Sequence, residues 1–212
     1  MAGTWTGTKT VELWVKPEGD PVLCANNSPS RCDIIFGDKP SYWGISRGVI
    51  NGLDRLWVYN YDGTLDSIGV AYNPGEWTHL ALVHSGGVLT VYKNGVMVVS
   101  ITSGATQQTA GTAILHIGGV IANASRNLTF QGKIDEVRIW NTARSAAEIQ
   151  ANMQQALSGA ETGLAAYYKM SDGMGTSLTD DSLHNWTGIL YDGGWGVPPD
   201  GFFPQWVESG AF

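Results

Sequence analysis

Thr78-His-Leu-Ala-Leu-Val-His84, Val88-Leu-Thr-Val-Tyr-Lys93, Asn94-Gly95 and Val96-Met-Val-Val-Ser-Ile-Thr102 follow one another in the middle of the chain. Three strand-sized runs of β-prone residues stand side by side. Both residues of Asn94-Gly95 tolerate the positive φ that a two-residue hairpin demands, so the second and third runs read as an antiparallel hairpin. Asp62-Gly63 offers the same device between Tyr61 and Thr64. Working outward, further strands are expected at Thr10–Lys16, Asp33–Phe36, Tyr42–Arg47, Arg55–Tyr61 and Ser67–Tyr72. Ala113–Ile117, Gly132–Trp140, Leu164–Lys169, Gly188–Tyr191 and Gln205–Glu208 complete the set. Many strands at short, regular spacing predict a sandwich or barrel, not alternating β-α units. One segment breaks the pattern. Ser145 with Glu148 forms a capping-box signature, and Ile149, Met153, Ala156 and Leu157 follow at helical spacing, predicting about three turns of helix. No linker or repeat appears, and Pro198-Pro199-Asp200-Gly201 reads as a turn in the last hairpin region. Residues 1–212 read as a single domain.

The composition excludes several classes. Charged residues are 15% of the 212, against roughly 25% in an average soluble domain, and there are 9 Trp and 8 Tyr. Such a chain is too apolar and aromatic for a solvated tail. Its 28 glycines follow no triplet period, which excludes collagen. Val96–Val99 is among the longest apolar runs, far short of a membrane span, so no membrane insertion is expected. With 12 Lys plus Arg against 19 acids and a net charge of -7, the chain has no basic stripe for nucleic acid or an anionic bilayer. A neutral, cationic or metal-bridged partner is expected. The opening Met1-Ala-Gly-Thr-Trp5 carries no signal core, so the sequence reads as a module of a parent protein with flanking domains.

Cys24 and Cys32 sit in a loop rich in Asn, Ser and Pro. The pair lacks the further ligands of a zinc site and the spacing of a redox motif. A disulfide closing a small surface loop is the leading reading, and it implies an oxidising compartment, secreted or at the cell surface. Two unrelated thiols are the alternative.

Several blocks resemble a known family. Thr10-Val-Glu-Leu-Trp-Val-Lys-Pro17, Gly75-Glu-Trp-Thr-His-Leu-Ala-Leu-Val83 and Leu89-Thr-Val-Tyr-Lys-Asn-Gly95 are similar to the laminin-G-like jelly rolls of the concanavalin-A-like lectin and glucanase superfamily. So are Gly132-Lys-Ile-Asp-Glu-Val-Arg-Ile-Trp-Asn141, Ala143-Arg-Ser-Ala-Ala-Glu-Ile149, Leu164-Ala-Ala-Tyr-Tyr-Lys-Met170 and Leu178–Gly188, all in the family's order. The resemblance implies an all-β fold: a two-sheet antiparallel jelly-roll β-sandwich with one short helix after the Gly132–Trp140 strand. Family members usually begin with a further strand, for which only Met1–Lys9 remain. The fold hosts lectins, adhesion modules and enzymes, so function rests on the residues of a site.

Those residues favour binding over catalysis. The glucanase branch sets paired acids on one strand as Glu-x-Asp-x-x-Glu, and the nearest place here is Ile134-Asp135-Glu136-Val137. Adjacent strand residues face opposite ways, so Asp135 and Glu136 do not serve one sugar. A structural ion pair of Glu12 or Glu136 with Arg138 is the better reading. His79, His84, His116 and His184 show no metal spacing, and no nucleophile elbow accompanies them. No enzymatic activity is expected.

A glycan site needs flat apolar faces and a few polar anchors. Tyr42, Trp43 and Arg47 supply such groups. Trp57, Tyr59 and Tyr61 share one strand face by their spacing of two and could form a stacking stripe. A loop covering that face would instead make them core. Trp14, Trp77 and Trp140 fall at positions expected to pack. Trp186 and Trp195 lie in C-terminal loops, where exposed aromatics are expected to bind.

Asp180, Asp181 and Asn185 offer oxygen ligands for a structural Ca2+; the alternative is a turn in which the Asp side chains cap backbone amides. Pentraxin-like relatives place a calcium-binding acid cluster where this chain reads Val120-Ile121-Ala122, so that site is not expected. The expected function is a non-catalytic lectin-like module binding an oligo- or polysaccharide, with a protein-interaction or adhesion module as the alternative and a glycoside hydrolase third.

Overall fold

A computed structural model describes residues 8–39, 43–61, 65–102, 114–123, 126–190, 206–207 and 211. The strands are β1 (Lys9–Pro17), β2 (Asp33–Lys39), β3 (Trp43–Ile50), β4 (Leu53–Tyr61), β5 (Leu65–Val70), β6 (Thr78–Ser85), β7 (Val88–Lys93), β8 (Val96–Thr102), β9 (Ile114–Ile117), β10 (Gly119–Asn123), β11 (Arg126–Thr129) and β12 (Gly132–Trp140). Helix α1 (Ala146–Asn152) follows, then β13 (Leu164–Tyr168), β14 (Ser177–Leu178) and β15 (Gly188–Ile189).

Two sheets carry the fold. The first runs β13-β12-β1-β6-β7-β8, and the second β10-β11-β2-β3-β4-β5 with β9 also pairing to β2. Among the described residues the strands pair antiparallel except for the Thr129–Ile34 pairing of β11 with β2, and an isolated Leu23–Val49 bridge is also parallel. The result is the expected two-sheet jelly-roll sandwich. Alternation decides what each strand contributes to its core. Val11, Leu13 and Val15 of β1 face Ile45 of β3 and Leu56 and Val58 of β4 in one buried cluster.

The β7–β8 hairpin has the expected bounds. Asn94 (φ 49°) and Gly95 (φ 75°) both adopt the left-handed region the turn needs. A Cβ on Gly95 would stand 2.6 Å from Gln150 Cγ, because α1 packs against this turn and Gln150 Nε2 donates to the Gly95 carbonyl.

The capping box is present: Glu148 N–H donates to Ser145 Oγ, and Ser145 N–H to Glu148 Oε2. The helix ends at Asn152, two turns long where three were expected. Beyond it, the Asn152 and Gln155 carbonyls turn inward to accept from Arg138, and Trp14 Nε1 donates to the Met153 carbonyl. The segment that would have been a third turn is used to cover the outer face of β1 and β12. Strands β10, β11 and β14 were not expected. Trp206 and Val207 are not in a strand, contrary to the expected Gln205–Glu208 strand, whose other residues lie outside those described, as do Met1–Gly7 and Pro198–Gly201. Among the described residues no helix is long and apolar enough to cross a membrane.

Candidate functional site

Trp186 is 38% exposed, and among the described Trp, Tyr and Phe residues it is the one whose side chain is exposed, not buried or half-buried. Its ring centroid lies 5.6 Å from that of His184, with the planes inclined at 42°. The turn beneath them is held by one buried carboxylate. Asp180, 3% exposed, accepts from the N–H of Tyr167 and of Ser182 through Oδ1, each at 2.9 Å. Its Oδ2 accepts from Ser182 Oγ at 3.0 Å and from Trp186 N–H at 2.7 Å. Tyr168 Oη donates to the Trp186 carbonyl at 2.8 Å, so the backbone at Trp186 is fixed on both sides. Burial works to raise the Asp180 pKa, but the hydrogen bonds from Tyr167, Ser182 and Trp186 outweigh it and hold the carboxyl below its usual range. The tryptophan is therefore presented from a rigid turn fixed to β13, not from a loose loop.

The expected calcium ligands do not fit an ion as folded. Both Asp180 oxygens face N–H and O–H donors, whose positive ends point where a cation would have to sit. Asp181 is paired with Lys169 Nζ at 3.0 Å, and Asn185 is exposed with φ 52°. Among the described residues no cluster of three or more His, Cys, Asp or Glu side chains stands ready to hold a metal.

The expected aromatic stripe is closed. Trp57 and Tyr59 do share one face of β4, turned away from Leu56 and Val58, but they are only 8% and 1% exposed. The 24–32 loop folds over that face, and Trp57 packs against Cys24, Cys32 and Ile50 while its Nε1 donates to the Gly48 carbonyl at 2.8 Å. Tyr59 packs with Ile34 and Leu128. One sequence signal foretold this: Gly44 stands opposite Tyr59 and Gly69 opposite Trp57, and a Cβ at either would meet the ring at 3.0 Å or less. Each ring lies flat over a glycine of its own sheet. Trp43 is 6% exposed in the main core beside Phe36. Arg47 is fully buried and bonds the carbonyls of Glu18 and Gly19, which corrects its assignment to a ligand. Tyr42, Trp195 and the side chain of Tyr61 lie outside the described residues. Trp14 and Trp140 are core, as expected, and Trp77 is half-buried. A small void of about 20 Å³ between the sheets, beside Trp43, Leu82 and Leu89, holds no more than a water.

The acids flanking Arg138 are structural in geometry. Glu136 Oε2 accepts from Arg138 Nη2 at 2.7 Å and from Tyr167 Oη at 2.5 Å, deep beneath the 152–157 segment. Glu12 stands opposite Arg138 in register and 3.4 Å from His79 Nε2, with both side chains 1% exposed. Glu136 has φ 51° at the β-bulge between β1 and β12. Both carboxylates are buried.

Cys24 and Cys32 form a disulfide, and the loop they close is the one seated on Trp57. Comparison with known proteins then fixes the family. A model of the concanavalin A-like lectin/glucanases superfamily matches residues 2–150. The chain belongs to that superfamily. Pappalysin-1 of Mus musculus is 27% identical over 168 residues, 68% of this chain, and pappalysin-1 of Homo sapiens 26% over 178 residues, 73% of this chain. The chain spans about a tenth of the length of either relative. Among solved structures, a Bacteroides ovatus protein assigned as carbohydrate binding superposes with a TM-score of 0.67 over 88% of this chain and 52% of its own, at 22% identity. Domain 4 of AbnA, a GH43 extracellular arabinanase from Geobacillus stearothermophilus in complex with arabinotriose, is 28% identical, with a TM-score of 0.51 over 69% of this chain and 66% of its own. A SAP-like pentraxin from Limulus polyphemus shares the fold at 18% identity, with a TM-score of 0.52 over 68% of this chain and 69% of its own.

Proposed function

We propose that this domain is a non-catalytic carbohydrate-binding module of a larger secreted or cell-surface protein, in which a neutral oligosaccharide stacks on Trp186 beside His184. The exposed tryptophan on a turn locked by Asp180 carries the proposal. A fixed indole presents an apolar face to pyranose or furanose C–H groups without an ordering cost. Polar anchors stand next to it in the exposed side chains of Asn185 and Thr187. The burial of Glu12, Asp135 and Glu136 supports a non-catalytic role, and the Cys24–Cys32 bond supports an oxidising compartment. The arabinotriose complex of the 28% identical arabinanase domain makes arabino-oligosaccharides the first probes to try.

A glycan array with the purified chain, run in calcium and again in EDTA, tests this. Binding to one class of neutral glycan in both buffers is the expected result. Silence in both, from folded protein, overturns the proposal.

A second reading, a protein-interaction module, is favoured by a different observation. β8 is the outer strand of its sheet, and Val96, Met97 and Val98 are 62%, 58% and 47% exposed. Silence on the array with retention of a polypeptide partner lost in Val98→Lys would favour it.

A further inference from the structure

Arg47 is fully buried, and its guanidinium is surrounded almost entirely by oxygen. Nη1 donates to the carbonyls of Glu18 and, at 3.4 Å, Gln131; Nη2 donates to the Gly19 carbonyl at 2.8 Å. Nε donates to Tyr72 Oη at 2.6 Å, and that hydroxyl donates in turn to Asp54 Oδ2 at 2.7 Å. Asp33, the residue opposite Arg47 in the β2–β3 register, is 3% exposed, and among the described residues its Oδ2 has no hydrogen-bond partner. Asp54 Oδ1 is buried and likewise without one among the described residues. The carbonyls come from two separate segments tied to each other by Glu18 N–H donating to the Gln131 carbonyl.

Three carbonyls and a phenol oxygen around the guanidinium, with the Asp33 carboxylate opposite it in register, form the kind of donor set that a hard divalent cation takes in an oxygen cage. We infer that the Arg47 guanidinium is the resident cation of a calcium-type site, and that the same cage binds a divalent ion once the side chain is shortened. Charge supports this. Asp33 is the carboxylate that stands opposite the guanidinium in register, and a divalent ion in place of Arg47 would set a doubled charge against it. In the native chain the site needs no metal, because the covalently attached cation already draws the 18–19 and 131 segments onto β3.

Thermal unfolding of the full chain, Arg47→Ala and Arg47→Met, each in calcium and in EDTA, tests the inference, with terbium as a second probe. Tyr72 stands at the cage and would sensitise terbium emission on excitation near 280 nm. The native protein should unfold at one temperature in both buffers and show no sensitised emission. Either variant should gain terbium emission, and at calcium about 100 times its Kd the midpoint should rise by roughly 5–10 °C. A variant that folds only when calcium is present also supports the inference. Adding Asp33→Asn should reduce the gain at least several-fold. If neither variant acquires a calcium-dependent midpoint or terbium emission, or if the native midpoint falls in EDTA, the inference is overturned.

Discussion

Asp180 Oδ2 accepts the backbone N–H of Trp186 at 2.7 Å, across a turn of six residues, while its other oxygen accepts the N–H of Tyr167 in β13. One carboxylate thus joins the exposed tryptophan to the sheet. Asp180→Ala should cost about 2–4 kcal/mol, since several buried donors lose their acceptor. Asp180→Asn should fall between, because an amide presents one accepting oxygen where the carboxylate presents two. The native carboxyl titrates below its usual range, so its stabilisation is complete above the unfolded value near 3.8 and is lost as pH falls beneath it. Acid unfolding curves of the native and Asp180→Ala proteins should converge once the pH falls beneath the lowered pKa of the folded carboxyl, which calorimetry across pH can check.

Asp33 has the opposite sign. Burial pushes its carboxyl up, Arg47 pulls it partly back, and it stands at about 6. The folded state therefore holds a proton that the unfolded chain has released. Stability should fall as pH rises from about 4 to about 6, by up to about 3 kcal/mol, and then level off. Asp33→Asn should remove that limb and leave the variant the more stable protein at neutral pH. Denaturant titrations at pH 4, 5, 6 and 7 would show it.

Cys24 and Cys32 close a short loop whose sulfurs lie on Trp57. Replacing both by Ser should cost about 2–3 kcal/mol by loss of the constraint on the unfolded chain. Trp57 emission should shift to longer wavelength as the loop loosens. The shift should be absent in a variant that also carries Trp57→Phe.

Arg138 is buried against Glu136 and the carbonyls of Asn152 and Gln155. Arg138→Ala leaves a buried carboxylate without its cation and should cost about 3–5 kcal/mol. Double replacement by Arg138→Met and Glu136→Gln should recover much of the loss, as urea midpoints would report.

What the sequence discloses follows from how local its cause is. The β7–β8 hairpin and β12 are legible to the residue because turn stereochemistry and alternation act within a few positions. The two strands β10 and β11 are short and carry polar residues, so no periodicity announces them. The face shared by Trp57 and Tyr59 is legible from spacing alone. Whether that face is wet depends on a loop some thirty residues earlier folding back over Gly48, where a Cβ would lie 2.5 Å from Cys24 Sγ. Arg47 misleads for the same reason: three of its partners are backbone carbonyls, which no side-chain pattern records, and the fourth is the distant Tyr72 hydroxyl. Asp180 left two readings open in sequence, an ion ligand or a cap for amides, and the amides of Tyr167, Ser182 and Trp186 supply its partners in the fold.

Glycan binding at Trp186 is tested most directly by titrating arabinotriose, and whichever glycan class the array selects, into the native chain and into Trp186→Ala by calorimetry. The substituted residue is exposed, so the fold should stay intact and the unfolding midpoint unchanged. Loss of one stacking surface should weaken binding by about tenfold or more. An unchanged affinity in the folded variant would contradict the assignment of the site to the Asp180–Trp186 turn.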